Sequence, residues 1–163
     1  MTYKMYQING DWLVFNNGFN EPLSNVVFPV GIQKIKFGEY FNQYVNQDVS
    51  QDVRQLPNSL THLTFDWKFN QDVSNLPNSL THLTFGWKFN QDVSKLPNSP
   101  THLRFGWNFN QDVSHASTLP NSLTHLIFGI NFNQDVSQLP NSLTYLTFDW
   151  AFNQDVSQLP NTT

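Results

Sequence analysis

The chain has 163 residues, of which 39% are hydrophobic, 15% aromatic and only 12% charged; that is room for one domain with a substantial core, at about half the usual charge content. A net charge of -4 with scattered basic residues leaves no footprint for nucleic acid or an anionic membrane, and the lack of cysteine excludes disulfides and thiolate metal sites. No apolar run of signal-peptide length opens the chain and none reaches the roughly 18 residues of a membrane span, so a soluble intracellular protein is expected.

Residues 1–9 read as a short lead-in and residues 10–163 as a single array of repeats. The first strand centres near Val14 and is followed by Phe19-Asn20-Glu21-Pro22-Leu23; the second centres near Ile35, after Phe28-Pro29-Val30-Gly31-Ile32. A stuttered Asn46-Gln47-Asp48-Val49 and Ser50-Gln51-Asp52-Val53 then stretches the Phe41-to-Phe69 interval to 28 residues. Beyond it the copies become clean, as in Leu76 to Lys95, with a spacing of 20 residues from Phe69 to Phe89 and from Phe89 to Phe109. His115-Ala116-Ser117 adds three residues before the pattern resumes at Thr118-Leu119-Pro120. Both insertions fall between the Phe-Asn and Leu-Pro elements, which marks that return segment as the outer side of a solenoid.

Within each unit, Leu60-Thr61-His62-Leu63-Thr64-Phe65 carries the Leu-x-x-Leu-x-apolar spacing of a leucine-rich-repeat strand. Leu63 and Phe65 alternate with His62 and Thr64, so one face is buried. The return contains Pro77 and is too short for a long helix, so turns and at most a short 3₁₀ segment are expected. The expected fold is therefore a β-rich, leucine-rich-repeat-like solenoid with a right-handed parallel sheet of about seven strands, near Val14, Ile35, Leu63, Leu83, Leu103, Leu126 and Leu146. Pro100, where other clean copies have Leu, should loosen one coil without breaking the stack.

The order Leu-Pro-x-Ser-Leu-Thr-x-Leu-x-Phe-Gly-x-x-Phe-Asn-Gln, as from Leu76 to Gln91, resembles the FNIP repeat, a leucine-rich-repeat relative abundant in social amoebae and giant viruses. The family unit usually continues Phe-Asn-Gln-Pro-Leu; here Phe19-Asn20-Glu21-Pro22-Leu23 keeps that Pro, whereas later copies read Phe-Asn-Gln-Asp-Val and are shorter. The resemblance implies protein interaction without catalysis, and a host-cytoplasmic location if the source is a virus. Some members carry an F-box ahead of the repeats; with about nine residues in that position, none is expected here.

A solenoid converts each repeat position into a column of aligned side chains. The Phe65 and Phe69 positions are Phe in all seven copies, which suits a stacked aromatic core. Asn20, Asn42, Asn70, Asn90, Asn110, Asn133 and Asn153 should form a buried amide ladder that satisfies turn backbone. Asp72, Asp92, Asp112, Asp135 and Asp155 should each accept hydrogen bonds from a local turn. Calcium finds no second carboxylate per unit.

The candidate partner-binding residues are the outward strand positions His62, His82, His102, His125 and Tyr145, then Thr64, Thr84 and Arg104, with the row Trp67, Trp87, Trp107 and Trp150 beyond the strand. The tryptophans have two readings, an exposed binding surface or rings stacked on one another to shield the sheet edge. Aligned histidines form a flat row, whereas tetrahedral zinc needs convergence, so no metal is expected. Protonating such close neighbours is unfavourable, so the histidines should titrate low. Serines in Asn-Ser turns and two isolated glutamates, Glu21 and Glu39, offer no nucleophile or acid/base pair, so neither catalysis nor a cofactor is expected. The expected function is a non-enzymatic protein-interaction scaffold; the alternative is a self-assembling homo-oligomer joined through open solenoid ends or the sheet face.

Overall fold

The computed structural model describes residues 5–45, 56–115 and 117–159. The stuttered segment at 46–53 lies outside the described residues.

An eight-stranded sheet runs in chain order: β1 (Tyr6–Asn9), β2 (Trp12–Phe15), β3 (Lys34–Lys36), β4 (His62–Thr64), β5 (His82–Thr84), β6 (His102–Arg104), β7 (His125–Ile127) and β8 (Tyr145–Thr147). From β2 to β8 every pair is parallel, and the repeat alignment is the register: Leu63 faces Leu83, which faces Leu103, which faces Leu126. These are the seven expected strands. The lead-in differs from its sequence reading, because its residues 6–9 form β1, antiparallel to β2 through a turn at Gly10, which adopts a φ of 62°. That left-handed backbone is where glycine is favoured. Among the described residues the return segments are irregular, with one 3₁₀ turn at Leu23–Asn25.

The core fills the space between strands and returns. Leu63, Leu83, Leu103 and Leu126 point inward from the strands, and Phe65 and Phe69 with their counterparts stack along the axis. Within a coil the two rings lie face to face, 3.7 Å apart for Phe65 and Phe69, and between coils Phe65 and Phe85 are 5.9 Å apart. Each repeat alone would expose these rings; stacking removes them from water.

Two further features hold the coils in register. The first is the asparagine ladder: the N–H of Asn90 donates to Asn70 Oδ1 at 2.9 Å, that of Asn110 to Asn90 Oδ1 at 2.9 Å, and so on through Asn153. The expectation of burial is overturned, since Asn20, Asn110 and Asn153 are exposed and the others half-buried. The amide has only to reach along the stack to the next coil, and that contact forms at the solenoid's edge. The following glutamines reinforce it, Gln111 Nε2 donating to both Asn90 O and Oδ1. The second is close backbone approach at Gly38, Gly86, Gly106 and Gly129. A Cβ at Gly106 would lie 2.0 Å from Gly86 O, so a side chain there forces the coils apart.

At the two ends of the extra segment, His115 and Ser117 are exposed. Thr118 N–H closes onto His115 O at 3.1 Å, and Leu119 returns to the core. At Pro100 the stack holds its register, but Ser99 Oγ is buried without a partner, whereas Ser79 and Ser122 donate to carbonyls of the preceding coil at 2.7 Å. Leu60, Leu80, Leu123 and Leu143 each donate a turn-closing N–H to a proline carbonyl; Pro100 has no N–H to give. The coil thus lacks two hydrogen bonds that its neighbours make, while its register is unchanged.

Candidate functional site

Because the pleat sends alternate side chains outward, β2 to β8 carry one continuous column, Trp12, Lys34, His62, His82, His102, His125 and Tyr145. The four imidazoles stack nearly parallel, with 4.2 Å between successive centroids. Each Nδ1 lies 2.9 Å from the hydroxyl of the preceding threonine, Thr61, Thr81, Thr101 or Thr124. That hydroxyl also lies about 3.1–3.2 Å from a carbonyl of the previous coil, so the threonines hold the rings in one orientation. Tyr145 continues the row at 5.6 Å from His125, and Lys34 pairs with Asp11 at 2.6 Å at the other end.

The low titration expected for the histidines holds for His62, His82 and His102, but its leading cause is partial burial, which disfavours the charged ring. Repulsion comes second: from Lys34 at His62, from His62 at His82 and from His82 at His102. The row is flat, as the register requires, and among the described residues no group of three His, Asp or Glu side chains is placed to hold a metal ion.

The second column, Thr64, Thr84, Arg104 and Ile127, forms one wall of an open trough of about 570 Å³; Trp67, Trp87, Trp107 and Ile130 form the other. Its floor is formed at Asp66, Gly86, Gly106, Gly129 and Asp149, and the three glycines there present only backbone. The two readings of the tryptophan row prove compatible. Trp67, Trp87 and Trp107 stack at 4.6 and 4.1 Å, yet Trp67 and Trp107 remain 42% and 38% exposed, because stacking covers ring faces and leaves edges free. Trp150, following Ile130 in the row, is 89% exposed. The aspartate column sits on the return side, where Asp92 Oδ1 accepts the Ser94 N–H and Oδ2 its hydroxyl, both at 2.8 Å; these bonds hold Asp92 below the usual carboxylate range.

Sequence reasoning thus read the columns in which these side chains align. It missed the glycine floor and the glutamine rung. The signal was present as Gly86-Gly106-Gly129 and Gln71-Gln91-Gln111 in register.

A mostly parallel sheet of three- and four-residue strands, with irregular returns and an inward Leu-x-x-Leu-x-Phe side, defines a leucine-rich-repeat-type solenoid. The chain belongs to the FNIP-repeat family, whose model matches residues 19–49, 52–86, 72–108, 89–130, 109–148 and 132–163. Among solved structures it is similar to CroV588 of the giant virus CroV, described as a novel circular LRR protein, with 48% identity and a TM-score of 0.76 over 89% of this chain. The matched region is 22% of that protein, so the present chain spans about a fifth of its length. No curated protein matches the chain. Among the described residues no helix is long and apolar enough to cross a membrane.

Proposed function

We propose that this chain is a non-enzymatic protein-interaction scaffold that engages its partner through the exposed sheet face, acting inside the cell and, if its source is viral, in the host cytoplasm. The observation that carries the reading is the tryptophan row, in which Trp67, Trp87 and Trp107 stack into a ridge while Trp67, Trp107 and Trp150 stay exposed. Ordered aromatics lose little side-chain entropy on binding and supply large contact area. Other columns are occupied with holding the fold together: phenylalanines in the core, asparagines and glutamines between coils, aspartates on turns within a coil. The sheet face has the fewest such duties. Self-stacking through both ends gains little support, because β1 already covers the outer edge of β2.

Affinity capture followed by protein identification tests the reading. A protein retained by the native chain should be lost when Trp67→Ala and Trp87→Ala are combined, in a variant whose thermal unfolding stays cooperative. An unchanged set of retained proteins overturns the sheet-face assignment, and a native chain that is a stable oligomer by light scattering favours self-association instead.

A further inference from the structure

Five successive coils line the trough floor, and they differ at one position. In the two outer coils an aspartate stands there, and its own carboxylate accepts the next backbone N–H: Asp66 Oδ1 from Trp67 at 2.8 Å, and Asp149 Oδ1 from Trp150 at 2.7 Å. In the three coils between them the position is Gly86, Gly106 or Gly129. The equivalent N–H groups of Trp87, Trp107 and Ile130 have no hydrogen-bond acceptor among the described residues. Those three coils repeat the same turn donor without the oxygen that fills it on either side.

Charge points the same way. Lys36 at one end of the trough is paired with Asp66 at 3.7 Å, whereas Arg104, exposed on the wall in the middle, has no acidic partner among the described residues. A carboxylate entering over Gly106 meets both a cation and open N–H donors, the pairing in which hydrogen bonds are strongest. A basic group entering over Gly106 meets Arg104 first, because the trough's two carboxylates, Asp66 and Asp149, stand in the outer coils and Asp66 is already paired with Lys36. One wall beside it is apolar, with Trp87 and Trp107, and Ile127 adds an apolar side chain next to Arg104 on the other.

We infer that the trough over Gly86, Gly106 and Gly129 binds an extended acidic segment of a partner protein, with an Asp or Glu carboxylate taking the place over the central coils that Asp66 and Asp149 fill in the outer ones. The aliphatic neighbours of that carboxylate lie along the tryptophan wall. This rests on the sheet-face reading above and adds to it the chemistry of the partner.

The test uses two fluorescein-labelled peptides, Leu-Asp-Leu-Asp-Leu-Asp and its Leu-Asn counterpart, titrated against the full chain by anisotropy and by amide NMR. The acidic peptide should bind at least about tenfold more tightly, and its affinity should fall at about 0.5 M salt. The amide resonances of Trp87, Trp107 and Ile130 should move with saturation. Arg104→Glu, a change at an exposed side chain, should weaken the acidic peptide at least about tenfold while leaving the unfolding temperature and the weak Asn-peptide binding in place. Gly106→Asp, which supplies the carboxylate internally, should also block binding if its backbone crowding is tolerated, and the arginine variant decides the matter if it is not. Equal affinity for the two peptides, no binding of either, or indifference to Arg104→Glu overturns the inference. So does a dimer by light scattering that Arg104→Glu dissolves, which assigns the trough to a second copy. If the paired tryptophan substitutions lose a captured protein while the peptides go undiscriminated, the carboxylate chemistry fails and the sheet-face reading stands; if the protein is retained, the sheet-face reading fails.

Discussion

Asn90 shows how one residue, through its backbone N–H and its side-chain oxygen, ties three coils together. Its N–H donates to Asn70 Oδ1, and its own Oδ1 accepts from Asn110 N–H at 2.9 Å and Gln111 Nε2 at 3.1 Å. Replacing it by alanine leaves both of those donors without that acceptor. A lost hydrogen bond with an unsatisfied partner costs about 1–3 kcal/mol, and the half-exposed setting, where water can substitute, places this site at the lower end. Chemical denaturation of Asn90→Ala should therefore show a stability loss of about 1–2 kcal/mol with the fold retained; no measurable loss would mean the ladder contributes nothing. The aligned asparagines were legible as a ladder. Their exposure was not, because a string of letters does not say on which side of the coil a turn places its amide.

At the scale of the element, β1 is the feature that the repeat pattern could not supply. Its residues Tyr6-Gln7-Ile8-Asn9 match no copy, and they pair antiparallel with β2 because Gly10 turns the chain back within two residues. The strand is short and mostly exposed, with polar Gln7 and Asn9 along it, as befits an edge that discourages further pairing. Removing residues 1–9 should uncover the backbone edge of β2 and, with it, the ring of Phe15 against which Tyr6 packs at 5.6 Å. The truncated chain should self-associate in light scattering at concentrations where the native chain does not. A monomeric, equally stable truncation would assign β1 no protective role. The strands β2 to β8, by contrast, were legible to within a residue or two, since Leu-x-Phe alternation and the fixed spacing leave one register that buries every leucine.

Across the whole molecule the stacked columns make pH a shared variable. The unfolded chain carries ordinary histidines that take up protons near pH 6.5, while in the fold burial holds His62, His82 and His102 lower. As pH falls through about 6.5 the unfolded state therefore binds more protons than the folded one, and stability declines until the folded histidines also titrate. The bonds that hold Asp92 low act in a more acidic window, stabilising the fold above the ordinary carboxylate range and losing that contribution as pH falls through it. Urea midpoints should thus drop between about pH 7.5 and 5.5, and the drop should be shallower when His82 and His102 are both replaced by glutamine. A midpoint that does not move over that range would show that the histidine stack does not couple to folding.

The amino-acid sequence by itself determined the solenoid, the strand register and the identity of each column, because a repeat that cannot bury its own Phe and Leu has stacking as its way out of water, and stacking copies the period into space. Only the tertiary structure decided what lies between the columns. Whether a tryptophan row is covered or exposed, whether an N–H over a glycine finds an oxygen, and whether the first strand is protected are set by the angle of each turn and the approach of one coil to the next. Those distances depend on how all the coils settle together, and no single repeat contains them.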